Sequence, residues 1–485
     1  MSPYAVILTL LGYFVAVVAL GRLTARRGDF FATRSHRWWV VTLAMVSACM
    51  SGVSFVSVPG MVAGSGMGYL QMCIGFFLGY LVIAFVLTPL YFRYGVTSVY
   101  EYLDRRFGVT AHRWGAWLFF VSQLLRASLR LSLLCLTQQL LIFAPLGLPF
   151  ALNVLITVGI LLAYTWRGGV RSVIAADILR TVCMVSAVVL SLIYIGKALP
   201  GGVWGTVADS GMTRVFWLDD PNAPQYFWKQ LLGGFFIVIA MTGMDQDMMQ
   251  RNLACRSLRD AQKNLVLSSL LQIVVIAGFL LLGVLLYAYA DSFDISSEVE
   301  KSLSGDSLFP AIAVNGGLPL IVGVLFILGL SSASYGAGGS ALTALTTTFV
   351  IDIKPLTKSS AVIPSASEES ARRLFQALIA AAMAVLVLLF GYFMERGALD
   401  AIYTVAGYTY GPILGLFAFG ILTKRPAKAI PVAVLAAPAI CLLLNHYSEA
   451  LFSGYRFGYE LLPLNAALTF LLLRIFSDRP IEKCP

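Results

Sequence analysis

Residues 48–69 read ACMSGVSFVSVPGMVAGSGMGY and would form a single apolar span if they did not contain one proline and five glycines. A second stretch of the same kind, LLGGFFIVIAMTGMDQDMMQRN at residues 231–252, contains three glycines and two aspartates. Proline weakens a helix because it lacks the donor N–H, and glycine weakens it because its backbone is unusually free. Each stretch therefore predicts a helix that is broken near its middle.

The composition places both stretches in a lipid bilayer. Of the 485 residues, 59% are hydrophobic and 12% are charged, and the mean hydropathy is +0.83. Soluble domains carry about 25% charged residues, whereas runs of roughly 20 apolar residues span a membrane as helices. The first run is interpreted as an uncleaved helix because no positive residues precede it. Thirteen spans are predicted, at residues 4–21, 40–60, 69–92, 115–144, 148–165, 173–196, 228–248, 264–289, 311–349, 374–394, 398–422, 428–446 and 460–476.

The basic residues predict how these spans are oriented. With the N-terminus outside, the inner segments hold 25 Lys and Arg residues and the outer segments hold six, while three arginines lie within spans. Positively charged loops stay on the cytoplasmic side, so we expect an outer N-terminus and a cytoplasmic C-terminus. The same asymmetry accounts for the net charge of +10 without a nucleic-acid partner. A bacterial inner membrane fits this pattern and the scattered cysteines.

Motifs of enzymes and of ATP-driven pumps are missing from the sequence. The seven cysteines and three histidines are scattered along the chain, so we predict no zinc site, disulfide framework or catalytic cluster. No nucleotide-binding motif is present either. We therefore expect a protein that is not an enzyme, that needs no cofactor, and that draws energy from ion gradients or from none.

The two broken spans stand five spans apart, which predicts a duplicated unit of five helices. The first copy would cover residues 40–196 and the second residues 228–422, with residues 1–39 before them and 428–485 after them in one transmembrane domain. Breaks at matching positions of two repeats mark a binding site at the middle of the membrane in transporters. The alternative is that the glycines only let neighbouring helices pack closely.

Five ordered motifs resemble the sodium:solute symporter family. They are YEYLDRRFG (100–108), YTWRGGVRSVI (164–174), GMDQDMMQRNL (243–253), SALTALTTTFVIDI (340–353) and YGPILGLFAFGILTKR (410–425). The resemblance runs over about residues 5–475. It implies an all-α LeuT-type fold with a 5+5 inverted repeat, one extra N-terminal helix and two C-terminal helices. It also implies alternating access, with sodium as the coupling ion for a small solute such as a sugar, amino acid, organic acid, vitamin or sialic acid.

The family's sodium position implies a departure in this chain. Family members usually carry two adjacent hydroxyl residues and often an aspartate on the ninth span, where this chain has glycine and alanine. Small hard cations are held by oxygen ligands, so the resemblance implies a degenerate site. Thr343, Thr346 and Thr347 remain nearby, but threonines also bond the carbonyls of their own helix. The equivalent positions are Ser47 and Met50, by their backbone carbonyls, and Gly336, Ala337, Gly339 and Ser340.

A second departure lies in the sixth span, where members commonly read WTDxxQ and this chain reads AADILR at residues 175–180. Asp177 and Arg180 are three residues apart and share a helix face. A charge inside the membrane costs roughly 2.5–3.5 kcal/mol, which makes it a functional hypothesis by default. We predict either that the Arg180 guanidinium occupies the vacated cation position or that it extends to the inner surface.

Candidates for solute binding come from the broken spans and from the fourth span. Arg126 and Arg130 lie one turn apart in SQLLRASLRLSLL (122–134). Arg130 would hold a small polar or anionic solute through bidentate hydrogen bonds, or else would pair with a buried carboxylate. The candidates for the substrate cavity are Ser51, Ser54, Cys73, Arg130, Thr242 and Asp245, with Asp245 alternatively at the inner gate and Tyr408 and Tyr410 in gating or packing.

These features together predict a secondary transporter whose sodium coupling is altered or lost. Coupling would use sodium at an unusual site, protons at Asp177, or no ion. The alternative is a transporter-like sensor or channel with a decayed cation site. Sensors of this type usually carry an extra cytoplasmic signalling domain, and the sequence ends within about ten residues of the last predicted span, so we expect a transporter rather than a sensor.

Overall fold

The computed structural model describes residues 3–24, 37–95, 99–167, 171–292, 305–353, 366–393, 397–452 and 454–477, and the regular elements within them are helices. Four short π-helical turns, Ile83–Leu87, Gln139–Phe143, Ile239–Gly243 and Phe349–Ile353, and one 3₁₀ turn, Gly305–Ser307, join or extend the α-helices. In chain order the α-helices are α1 (Pro3–Thr24), α2 (Trp38–Cys49), α3 (Gly52–Gly60), α4 (Val62–Ser65), α5 (Tyr69–Val82), α6 (Thr88–Tyr94), α7 (Glu101–Phe107), α8 (Val109–Gln138), α9 (Phe150–Arg167), α10 (Arg171–Ala198), α11 (Gly202–Asp209), α12 (Phe227–Val238), α13 (Gln246–Leu253), α14 (Leu258–Ser292), α15 (Leu308–Asn315), α16 (Leu320–Thr348), α17 (Ala366–Phe393), α18 (Ala398–Leu422), α19 (Ile430–His446), α20 (Ser448–Leu451) and α21 (Leu461–Phe476).

The predicted spans coincide with apolar helices. Among the described residues, seven helices are long and apolar enough to cross a membrane, or nine if each of two bent pairs counts as one span. Four shorter apolar helices lie in α1, α9, α19 and α21. The count of thirteen therefore depends on including the bent pairs and the short helices, and it stays a prediction.

The ninth span differs from its predicted bounds of 311–349. The chain forms the short helix α15, turns at Gly316 and Gly317, and begins α16 at Leu320 after Pro319. Gly317 has a φ of +79°, a left-handed conformation that residues with a Cβ rarely adopt. Proline at the next turn also cannot donate a helical hydrogen bond. Gly317 and Pro319 therefore divide into two helices a stretch that hydropathy alone predicts as one span.

Both predicted breaks are present. α2 and α3 meet at an angle of 57°, and the helix formed by α12 and its π turn meets α13 at 69°. The second half of each pair begins with its own side-chain cap, since Ser51 Oγ accepts the N–H of Ser54 at 3.2 Å. Asp245 Oδ1 likewise accepts the N–H groups of Asp247 and Met248 at 3.0 and 3.3 Å. A cap of this kind satisfies donors that a helix start leaves without partners.

The carbonyls released by the second break are bonded by tyrosines from another part of the chain. The Tyr91 hydroxyl donates to the carbonyl of Gly243 at 2.9 Å, and the Tyr100 hydroxyl donates to that of Met244 at 3.0 Å. Both tyrosines are 1% exposed or less. Irregular backbone inside a membrane needs such partners because lipid offers none.

Glycines bring the two halves of the molecule into direct backbone contact where α5 crosses α12. A Cβ at Gly75 would lie 2.3 Å from the carbonyl oxygen of Leu231, and one at Gly234 would lie 2.3 Å from that of Met72. Real Cβ atoms do not approach oxygen so closely, so only glycine permits this crossing. Small residues at helix crossings are the usual means of close packing in membranes. Close packing between helices therefore explains the glycine at position 234. The break in the same span lies farther along the chain.

Candidate functional site

A cavity lies between the two breaks. It leaves about 780 Å³ of space between protein atoms, part of which is open to solvent. The breaks, α5, α8, α14 and the start of α18 all contribute to its wall. Its lining includes Cys49, Ser51, Ser54, Phe76, Tyr80, Gln123, Arg126, Arg130, Met241, Thr242, Asp245, Asp247, Gln272 and Tyr403.

Arg126 and Asp245 form a buried ion pair at one side of this cavity. Arg126 Nη2 lies 3.0 Å from Asp245 Oδ2, and the two side chains are 3% and 5% exposed. The Tyr410 hydroxyl donates to the same carboxylate oxygen at 3.0 Å. Arg126 also donates to Gln123 Oε1 and to the Tyr410 hydroxyl. The carboxylate that caps α13 is therefore tied to α8 and α18.

Arg130 has a different environment, although it lies only one turn from Arg126. It lines the cavity, and among the described residues it makes no hydrogen bond or ion pair. Its Nε atom is buried without a partner, and so is Oε1 of Gln272 in the same wall. A buried polar atom without a partner costs about 1–3 kcal/mol. The two atoms together offer one donor and one acceptor to a molecule in the cavity.

Tyrosines form the wall of the cavity near the start of α18. The hydroxyls of Tyr69 and Tyr403 are 2.6 Å apart, which links α5 to α18. The Tyr403 ring also contacts Phe76 and Tyr459, with centroids 6.5 and 5.4 Å away. Tyr459 donates to Asp400 at 2.7 Å. In the predicted topology this wall is the outer end of the cavity.

Arg180 reaches the first break from α10. Its Nη2 donates to the backbone oxygen and to the hydroxyl oxygen of Ser47, both at 2.7 Å. Arg180 is 4% exposed and Ser47 is 3% exposed. A Cβ at Gly336, on α16, would lie 3.4 Å from Nη1 of the same guanidinium. The charged group thus lies between the first break and the glycine-rich part of α16.

The sequence matches a known family over most of its length. A model described as "Sodium:solute symporter family" matches residues 30–429. The chain belongs to the sodium:solute symporter family. Its relatives include the sodium-dependent multivitamin transporter of Oryctolagus cuniculus, 30% identical over 82% of this chain and 62% of that protein. The sodium/sialic acid symporter NanT of Aliivibrio fischeri is 24% identical over 92% of this chain and 89% of that protein.

Some family members are considerably longer than this chain. The chain spans less than two thirds of the multivitamin transporter and 66% of the human sodium/iodide cotransporter, to which it is 26% identical over 88% of its own length. Among solved structures, a Na⁺-coupled sialic acid symporter in a substrate-bound outward-open state superposes with a TM-score of 0.77. Sequence identity is 20%, and 97% of each chain is covered. The match confirms the expected LeuT-type fold.

The residues that the resemblance makes equivalent to the family's sodium position offer fewer side-chain oxygens than the family pattern. Gly336 and Ala337 carry no side-chain oxygen, and the Ser47 carbonyl already accepts from Arg180. Two nearby threonines bond within their own helix, since the Thr343 hydroxyl donates to the carbonyl of Gly339 at 2.9 Å. Thr346 does the same with Leu342 at 2.7 Å. A buried guanidinium lies beside these residues, and the loss of the sodium site stays a prediction.

The structure brings together most of the predicted cavity residues. Ser51, Ser54, Arg130, Thr242 and Asp245 line the cavity. Cys73 does not line it, although it is 1% exposed. Phe76 and Tyr80 line the cavity from the same helix, α5, and a role of Cys73 in solute binding stays a prediction. Two contacts bear on the alternative roles. Arg126 pairs with the buried carboxylate of Asp245. Tyr408 accepts a hydrogen bond from Asn445 at 2.9 Å, which is a packing contact.

Of the predicted pair of Asp177 and Arg180, the structure describes only the side chain of Arg180. The side chain of Asp177 lies outside the described residues, so the pairing stays a prediction. Burial of Arg180 shows that the alternative, in which it extends to the surface, was wrong. Gly339 and Ser340 follow Gly336 on α16, and Met50 ends α2 as its C-cap.

Sequence reasoning missed several lining residues. Tyr80, Gln123, Gln272 and Tyr403 all lie in unbroken helices, and nothing in their local sequence marks the inward face. Gln123 and Gln272 carried the only usable signal, since an amide inside an apolar span rarely faces lipid.

Proposed function

We propose that this chain is a secondary transporter that moves a small anionic solute across the membrane by alternating access. The cavity between the two breaks would hold the solute, with residues 40–196 and 228–422 as the two repeats that move around it. The relatives support this class, since their names describe transport of vitamins, iodide and sialic acid. We also propose the N-terminus outside and, from the bacterial relative, a bacterial inner membrane.

The observation that carries the proposal is Arg130. A guanidinium that faces a cavity without an ion pair would be costly unless a ligand neutralises it in part of the transport cycle. Its planar fork matches a carboxylate with two parallel hydrogen bonds. The start of α3 at the same cavity adds a partial positive charge, which also favours an anion. Gln272 would then accept a hydrogen bond from a hydroxyl or amino group of the same solute.

Arg126 does not compete for this role. Its charge is already balanced by Asp245, and the pair is held by Tyr410 and Gln123. The net charge that the arginine pair presents to the cavity is therefore that of Arg130. Sodium coupling of the family type would be altered at the degenerate position.

The experiment compares acids with their neutral amides. Purified protein in detergent is titrated with lactate against lactamide and with nicotinate against nicotinamide, and the unfolding temperature is recorded. We expect saturable stabilisation by at least one acid and none by its amide. The stabilising acid is then used as a labelled substrate for uptake into proteoliposomes.

Variants at Arg130 test whether this residue causes the stabilisation by the acid. Arg130→Gln should abolish the stabilisation, Arg130→Lys should retain a weaker one, and Arg93→Gln, at an exposed arginine, should behave as wild type. Stabilisation that survives intact in Arg130→Gln, or equal stabilisation by acid and amide, would rule out the proposed anion site.

A further inference from the structure

The first break of this transporter-like fold is bridged by a side chain rather than left open. Two N–H···O contacts of 2.7 Å join Arg180 to the carbonyl and hydroxyl oxygens of Ser47. Contacts of this length from a guanidinium are charge-assisted hydrogen bonds, which are about twice as strong as neutral ones. Both residues are at least 96% buried, so water does not weaken them.

The facing part of α16 carries almost no side chains, since residues 336–339 read GAGG. A Cβ built on Gly336 would lie 3.4 Å from Nη1 of Arg180, which is contact distance. The guanidinium therefore lies directly beside Gly336, and a side chain at this position would touch it.

A sodium ion and this guanidinium exclude one another. An ion bound to the Ser47 carbonyl would lie about 4 Å from the nearest guanidinium nitrogen if Arg180 kept its place. Two unit positive charges at that separation, with an effective dielectric constant of about 20, repel strongly enough to weaken binding roughly a thousandfold. The ion would also have to give up its own hydration shell in order to displace the hydrogen bonds that Arg180 already makes to Ser47.

We propose that the Arg180 guanidinium is a resident cation that takes the place of sodium, so that transport by this chain is independent of sodium. The inference rests on the proposed function and specifies how its energy is supplied. A tethered charge ties α2 to α10 in the way that a bound ion would tie the break to a neighbouring helix. Because it never leaves the protein, it carries no energy from an ion gradient. The solute then moves down its own gradient or by exchange.

The first test needs no solute. Unfolding temperatures are measured for purified protein titrated with sodium chloride against potassium chloride and choline chloride at constant ionic strength. We expect wild type to show no sodium-specific stabilisation. A saturable stabilisation that sodium gives and the other cations do not would overturn the proposal by itself.

The second test restores an oxygen site. The variant Arg180→Gln/Gly336→Ser/Ala337→Ser removes the charge and returns two hydroxyls. We expect a saturable stabilisation by sodium alone. The sodium concentration at its midpoint should be roughly a hundredfold or more lower than that of any wild-type response. The matched control Arg180→Lys/Gly336→Ser/Ala337→Ser keeps the charge beside the same hydroxyls and should not respond. A folded triple variant with no sodium response, or a control that responds as well as the glutamine variant, would also overturn the proposal.

Uptake separates this inference from the proposed function. If an acid binds through Arg130, its uptake by wild-type proteoliposomes should be equal within twofold in sodium and in choline. Sodium-stimulated uptake would overturn the resident-cation proposal and leave the anion site standing. If no acid binds, the anion site fails, while the sodium titrations still decide the role of Arg180.

Discussion

Loss of Arg126 is expected to destabilise the protein far more than loss of a surface arginine. Arg126 and Asp245 approach to 3.0 Å with side chains that are 3% and 5% exposed. Arg126→Gln leaves a buried carboxylate without its cation, which typically costs 3–5 kcal/mol. Asp245 keeps its hydrogen bonds from Tyr410 and from two backbone N–H groups, so we expect about 3 kcal/mol, near the lower end.

The chain contains a matched surface pair. Arg105 Nη2 lies 2.5 Å from Glu101, with side chains 47% and 30% exposed. Solvent-exposed pairs contribute about 0–1 kcal/mol, so Arg105→Gln should cost less than about 1 kcal/mol. The two substitutions are chemically identical, and they differ in the burial of the carboxylate that each leaves behind.

The assay is denaturant unfolding of purified protein in mixed micelles, followed by tryptophan fluorescence. The double variant Arg126→Gln/Asp245→Asn removes both charges, so it should be more stable than the sum of the two single losses implies, by about 2 kcal/mol. Coupling of 0.5–3 kcal/mol is usual for residues in contact. If Arg126→Gln costs no more than Arg105→Gln, or if the single losses simply add, the buried pair does not stabilise this part of the fold.

Two smaller perturbations probe the second break and the start of α18. Tyr91→Phe leaves the buried Gly243 carbonyl without its donor and should cost about 1–3 kcal/mol in the same unfolding assay, whereas the more exposed Tyr94→Phe should have little effect. Burial raises the pKa of Asp306, which accepts the N–H of Ala398 at 2.7 Å. A raised folded-state pKa gives stability that is present at low pH and lost as pH rises through it. Asp306→Asn should therefore flatten the fall in unfolding temperature from pH 4 upwards; an unchanged pH profile would show that Asp306 does not titrate with folding.

Much of the fold follows from local sequence. The apolar spans and the two interrupted helices were predictable, because hydropathy and glycine act within a few residues of where they occur. The one clear failure at this level was the ninth span. There hydropathy averaged over Gly316, Gly317 and Pro319 and so merged α15 with α16.

The site depended on contacts that no local pattern contains. Arg126 and Arg130 are equivalent in sequence, one turn apart on one helix. Only the position of Asp245, 119 residues away, decides that Arg126 is the one of the two that is paired with a carboxylate. The tyrosines that bond the carbonyls of the second break come from equally distant parts of the chain.

By itself the sequence determined that an arginine stands in the sixth span, and its resemblance to the family predicted that the usual hydroxyls of the cation position are missing. It left open whether that arginine reaches the position or the membrane surface. Tertiary structure decided this by placing Ser47, 133 residues earlier in the chain, within 2.7 Å of the guanidinium. The physical reason is that the fate of a buried charge depends on which oxygen atoms the fold brings to it, and those oxygen atoms lie on other helices.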